Sequence, residues 1–136
     1  MKSLCEAVFA AYNGNAGLKS MAGMFMPWAP EGQKQPFITF VPLTGRAEGT
    51  MKPGGIKYLD RVDIQFSVFC DEWELDTAWL IVSVLRGVYD NNVLGGTLSD
   101  GKKVIMAKRL NNGTLVDQPE GGFMIALEYE YTIQGS

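Results

Sequence analysis

Asp71, Glu72, Glu74 and Asp76 bring four carboxylates into six residues, a density at which oxygen ligands hold hard divalent cations. The same stretch is where a helix should begin. Acidic side chains there are stabilised by the free N–H groups and the helix dipole, by ~0.3–1 kcal/mol each, so the cluster needs no metal. Gly96-Thr97-Leu98-Ser99-Asp100-Gly101-Lys102-Lys103 nearly spells a phosphate-binding loop. Such a loop requires Ser or Thr after its lysine and a strand-to-helix context. Here Lys103 takes the hydroxyl's place and the stretch leaves a helix to enter a strand, so it reads as a turn. With no histidine among 136 residues, the commonest general base and transition-metal ligand are both missing. The chain is therefore expected not to be an enzyme and to use no cofactor or metal.

The cysteines, Cys5 and Cys70, are far apart, form no CxxC motif and read as buried small hydrophobes in a reducing compartment. Asn112-Gly113-Thr114 matches a glycosylation acceptor, but Asn-Gly is a favoured hairpin turn. Lys102, Lys103, Lys108 and Arg109 are the nearest approach to a basic patch, yet Lys108 and Arg109 point to opposite faces of a strand. The net charge is −3, from 12 basic and 15 acidic residues, which offers no overall footprint for nucleic acid or an anionic membrane. Trp28, Trp73 and Trp79 lack the interleaved cations of a single-strand groove. Trp79 is expected in the core, and Trp73 as an exposed anchor for a partner.

The elements that would position these groups follow from periodicity. Val62, Ile64, Phe66, Val68 and Cys70 alternate with Arg61, Asp63, Gln65 and Ser67, the period of a strand with one wet face. From Asp71, expected to cap the next helix, the period becomes helical through Ala78, Val82, Leu85 and Tyr89. Ile81, Val84 and Val88 widen that stripe. Ser3 and Glu6 form a capping-box pattern before a first helix lined by Leu4, Ala7, Val8, Ala11 and Tyr12, which Asn13-Gly14 ends. Asn15 to Ala22 suits one more helical turn. Met24 to Pro30, broken by two prolines, is expected to be extended and to stay out of the middle of the sheet. Phe37 to Val41, between Pro36 and Pro42, reads as a short strand. Thr44 to Lys57, with Gly45, Gly49, Gly54, Gly55 and Pro53, reads as a protruding hairpin arm.

Asp90-Asn91-Asn92 and Gly95-Gly96 mark a turn, Lys103 to Leu110 a third strand, Asn111-Asn112-Gly113 a tight turn, and Phe123 to Ile133 a closing strand. The expectation is one α+β domain over residues 1–136, with a mostly antiparallel four-stranded sheet, a long helix on one face and an N-terminal helix. No export signal opens the chain, because Glu6 interrupts the apolar start. The longest apolar run is also too short to cross a bilayer.

This order, with Ala29-Pro30 and Pro36-Phe37-Ile38-Thr39-Phe40 before a glycine-rich arm, and Val62-Asp63-Ile64-Gln65-Phe66-Ser67-Val68-Phe69-Cys70 feeding a helix, resembles the tail-terminator (tail-completion) proteins of long-tailed phages. Met24-Phe25-Met26 departs from the Gly-Arg-(Ile/Val)-Tyr often seen there. The resemblance implies a non-enzymatic virion protein that assembles as a hexameric ring, caps the tail tube, stops its polymerisation and joins it to the head. Its implied partners are copies of itself, the tube protein and a neck connector, with genome DNA passing through the ring without sequence-specific binding. Its implied location is the head-proximal end of the tail, after assembly in the host cytoplasm. The arm residues Arg46, Glu48, Met51, Lys52 and Lys57 are the expected subunit or tube contacts. Head-closure and other neck proteins share this size and composition and stand as the alternative. The rival from another class is a ligand-binding domain with a pocket between long helix and sheet, lined by Phe66, Trp79 and Met106.

Overall fold

The computed structural model describes residues 2–52, 55–119 and 121–135, with side chains between 44 and 58 outside the described set. The chain runs α1 (Lys2–Asn13), α2 (Ala16–Met21), β1 (Gly23–Phe25), β2 (Phe37–Lys52), β3 (Gly55–Cys70), a 3-10 turn (Glu72–Glu74), α3 (Leu75–Tyr89), β4 (Lys103–Arg109), β5 (Thr114–Asp117) and β6 (Phe123–Gln134). The strands form one six-stranded sheet in the order β1-β2-β3-β6-β4, and β5 also pairs with β6. All pairings are antiparallel except β1 with β2. The fold is thus the expected mix of helices and a mostly antiparallel sheet, but with six strands in place of four. The two extra strands are short edge pieces, β1 and β5, which periodicity over three or four residues cannot mark.

Alternation does what it predicts in β3, where Val62, Ile64, Phe66, Val68 and Cys70 are all buried. They meet Ile125, Leu127, Tyr129, Tyr131 and Ile133 of β6 beneath α3, whose Ala78, Ile81, Val82, Leu85 and Tyr89 complete the core. Each fully buried aliphatic side chain of this set stabilises the fold by ~1.5–3 kcal/mol. Tyr89 is the hinge pin of the layer. Its ring lies 4.6 Å from Phe66, and its hydroxyl donates a 2.8 Å bond to the Val8 carbonyl of α1.

The helix starts differ from expectation. Ser3 lies inside α1, and its hydroxyl donates to Asp100 Oδ2 at 3.0 Å in place of closing a capping box. Glu6 instead accepts a bond from Ser99 at 3.3 Å. Asp71 makes no side-chain cap, because a 3-10 turn intervenes before α3 begins at Leu75. Asn15 does cap α2, accepting a 2.8 Å bond from the Leu18 N–H.

The Phe37–Val41 strand does not stop at Pro42. A bulge between Pro42 and Gly45 absorbs the proline, and β2 continues paired to β3 up to Lys52 opposite Gly55. The glycine-rich arm is thus part of an antiparallel hairpin, as its sequence reads, and its two strands pair as a continuous ladder beyond the bulge. Pairing of β3 with β6 ends at Leu59 opposite Gln134, and beyond that point the hairpin runs on two strands. Gly49 to Lys52 alone carry it roughly 14 Å further.

Asn111-Asn112-Gly113 does not fold a hairpin. β4 and β5 lie end to end along β6, with the Leu110 N–H bonded to Glu128 O at 2.8 Å and Thr114 opposite Ala126. The three residues between them stand against Leu127 alone. Asn111 Oδ1 holds this kink by accepting from the N–H groups of Gly113 (3.1 Å) and Glu128 (3.3 Å). Gly113 sits at φ +105°, where a Cβ would press on Trp79 and Ile125 at 3.0 and 3.1 Å. The turn that does reverse the chain, from β5 into β6, uses Gly122 at φ +83°, whose Cβ would strike Cys70 O at 2.6 Å.

Tyr131 Oη is buried with no hydrogen-bond partner. An unsatisfied buried hydroxyl costs ~1–3 kcal/mol. Tyr131→Phe is therefore expected to raise the unfolding free energy by about 1 kcal/mol in urea, and Tyr89→Phe, which loses the bond to Val8, to lower it by about 1 kcal/mol. Burial pushes the phenols of Tyr89, Tyr129 and Tyr131 well above their ordinary value. Groups raised in the folded state contribute stability that is complete below the unfolded pKa, about 10, and is lost as pH climbs toward the folded value. The buried thiols Cys5 and Cys70 are raised in the same sense, so stability should begin to fall above about pH 8.5 and fall further above about pH 10, with phenolate absorbance of the buried tyrosines appearing together with unfolding.

Candidate assembly surface

The expected pocket between α3 and the sheet is filled. Phe66 is buried in the core, whereas Trp79 (38% exposed) and Met106 (56% exposed) lie at the surface, so the three line no common cavity. Trp79 leaves the core because it falls on the flank of α3 that overhangs the β4–β5 kink, against Gly113. Both thiols are buried, with Cys70 Sγ 3.7 Å from Phe123 O. Burial pushes both above the ordinary thiol value, which disfavours the nucleophilic thiolate. Gly96–Lys103 is a closed turn, with Leu98 N bonded to Lys102 O at 2.8 Å. Within it Asp100 is held below the usual carboxylate value by the Lys102 N–H and, further, by the Ser3 hydroxyl.

A half-buried ion pair lies elsewhere, at the C-terminal end of α3. Asp90 accepts from the Tyr129 hydroxyl at 2.6 Å and pairs with Arg109 through its other oxygen. The carboxylate tethers the end of α3 to β6 and β4. By spacing alone Asp90 marks only a turn, and Arg109 belongs to a basic patch split between two faces of a strand. Among the described residues no group of three His, Cys, Asp or Glu side chains is placed to hold a metal ion. Among the described residues no helix is long and apolar enough to cross a membrane.

What remains at the surface is apolar, and it falls at the margins of the sheet. On the face away from α3, Phe37, Phe69, Met124 and Val116 stand directly opposite one another across β2, β3, β6 and β5, and opposed residues share a face. Phe37 and Phe69 stack at 4.9 Å, and Phe25 abuts Phe37 at 6.5 Å. The segment from Pro27 to Gln33 borders this row and places Trp28 there, 77% exposed. The outer edge, β4–β5, shows Ile105, Met106, Leu110, Leu115 and Val116 to solvent. Along the opposite edge, β1 covers only Phe37 to Thr39 of β2. Beside the uncovered part lies an apolar groove of about 530 Å³ lined by Cys5, Phe9, Met26, Pro27, Val41 and Pro42, with Lys2 and Glu6 at its rim.

The two ends of the strands differ in charge. Where β3 ends and β6 begins, Asp71, Glu72 and Trp73 line an open cleft of about 430 Å³ with Gln35, Gly121 and Gly122, and Glu74, Asp76 and Asp117 follow close by in the chain. Trp73 is 93% exposed. At the other end stands the hairpin, whose sequence holds Arg46, Lys52 and Lys57 against Glu48. The side chains of Arg46, Glu48, Met51, Lys52 and Lys57 lie outside the described residues, so their contacts are not part of this geometry. The structure separates the two expected contact regions, Trp73 and the arm, to opposite ends of β3. Trp28 and the apolar edge of β4–β5 join the exposed set. Sequence reading passed over them, although a tryptophan between two X-Pro steps and apolar residues at consecutive positions of a strand are signals that could have found them.

No known family model matches the sequence, and no curated protein does. In fold, the chain matches one from a solved structure described as the virion of a native gene transfer agent (GTA) particle. The TM-score is 0.73 at 16% identity, over 98% of this chain and 96% of that one.

Because Trp73 touches so little, Trp73→Ala should change folding stability by no more than about 0.5 kcal/mol. Fluorescence quenching by acrylamide should fall most on replacing Trp73, less for Trp28 and least for Trp79, following their exposures.

Proposed function

We propose that this protein is a non-enzymatic structural subunit of a phage-like tail, which caps the head-proximal end of the tail tube as a hexameric ring, stops tube growth and offers the surface on which a neck connector seats. The observation that carries the reading is the agreement of fold, over nearly the full length of both chains, with a virion component. It is supported by where the apolar surface falls. Monomeric proteins bury or scatter such side chains, whereas here they collect along two free sheet edges and beside the acidic cleft. A ring needs two different surfaces on each subunit, one for each neighbour, and this sheet has two unlike edges: a kinked apolar strand and an apolar groove. In this reading the hairpin reaches beyond the body to a neighbour or to the tube, and the genome passes through the ring without sequence-specific contacts. The neck-connector alternative uses the same surfaces but predicts binding to the portal side and not to tube ends.

Ala47 and Asp60 are cross-strand partners, so residues 48–59 can be replaced by Asn-Gly to close a two-residue turn. The variant should fold with an unchanged far-ultraviolet spectrum yet fail to cap purified tail tubes, seen as tubes that keep elongating past their native length. Tubes capped as well by the variant as by the parent would remove the hairpin from this role, and tubes never capped by either protein would favour the neck reading.

A further inference from the structure

The hairpin and the Trp73 cleft are complementary in charge. From Arg46 to its cross-strand partner Arg61 the hairpin sequence carries Arg46, Lys52, Lys57 and Arg61 against Glu48 and Asp60, with no carboxylate between those two and Met51 opposite Ile56 near the tip. The cleft presents Asp71 and Glu72 beside an indole that is 93% exposed, with Glu74 next in the chain and Gln35 and two glycines as its floor. Gln35, one of the lining residues, keeps its Oε1 buried with no hydrogen-bond partner. An exposed tryptophan that shares a cleft with two carboxylates suits a cationic side chain, which stacks on the ring face and pairs with the acids at once. The chain cannot bring its own hairpin to its own cleft, because the 16-residue β3 separates them by roughly 50 Å.

We infer that the Trp73 cleft receives the hairpin of a second copy of this chain, with Lys52 and Lys57 against Asp71 and Glu72 and one of the cations over Trp73. The inference rests on the assembly reading above and names the contact that reading leaves open. A tip-to-cleft contact joins two different surfaces, so it propagates from copy to copy and closes when the rotation per step allows a ring.

The test uses the full chain, mixed as equal parts of isotope-labelled and unlabelled protein at its highest soluble concentration and again on tail-tube ends, and coupled with a carbodiimide. Mixed-label peptides should join Lys52 or Lys57 to Asp71, Glu72 or Glu74. The cleft variant D71K/E72K and the hairpin variant K52E/K57E should each lose about tenfold in self-association, and mixing the two should restore it, since one repelling pair is exchanged for an attracting one. Association through other couplings, no rescue in the mixture, or a chain that never self-associates in either setting would overturn the inference. Tube ends still capped by both single variants would overturn it while leaving the capping role intact, whereas tube ends that the parent protein never caps would count against the capping role itself.

Discussion

The packing of Tyr89 governs the geometry of everything else. Its ring fills the space above Phe66 and 6.3 Å from Tyr129, and its hydroxyl reaches the backbone of α1. The next residue, Asp90, is tied to β4 and β6 through Arg109 and Tyr129. One helix end therefore fixes the angle between α3 and the β3–β6 pair and the position of α1 over them. A long side chain held by contacts on three elements has few ways to shift, because interiors are packed like solids. The direction of β3 is set in the same stroke, and with it the placing of the hairpin at one end and the Trp73 cleft at the other.

Much of this was legible in the residues. The alternation from Val62 to Cys70, the helical stripe through Ala78, Val82, Leu85 and Tyr89, and the closing strand from Phe123 were readable because each is long enough for its period to repeat. The glycine-rich arm could be read as protruding, but not as a regular ladder, since no side-chain pattern shows that a bulge after Pro42 lets a strand carry on. β1 and β5 escaped notice because three or four residues hold no more than two full periods. The Asn111-Asn112-Gly113 signal was real, but its meaning was not local: whether such a triplet reverses a chain or only kinks it depends on β6 being there to accept both halves. The same holds for Trp79, apolar and helical in sequence, yet on a flank that overhangs an edge.

The candidate site was legible in part and for a similar reason. Exposure of Trp73 could be inferred from its place among four acidic neighbours in a first turn, where burial would strand charge. Its relation to the arm could not, because no spacing in the chain tells how far apart the two ends of a folded strand will stand. The charge difference between those ends was hidden in a near-neutral total, which averages an acidic end with a cationic hairpin. Composition arguments that exclude nucleic acid from net charge alone would pass over such a polarity.

The kink at Asn111 to Gly113 has a consequence wherever copies of the chain meet. A straight, greasy outer strand would zip onto an identical strand of any molecule it met, and the two would pair flank to flank in the wrong order. With the ladder broken midway, and Lys103 and Lys108 set along it, no partner can run more than a few residues before losing step. Chains are thereby hindered from pairing edge to edge although the outer strand stays apolar.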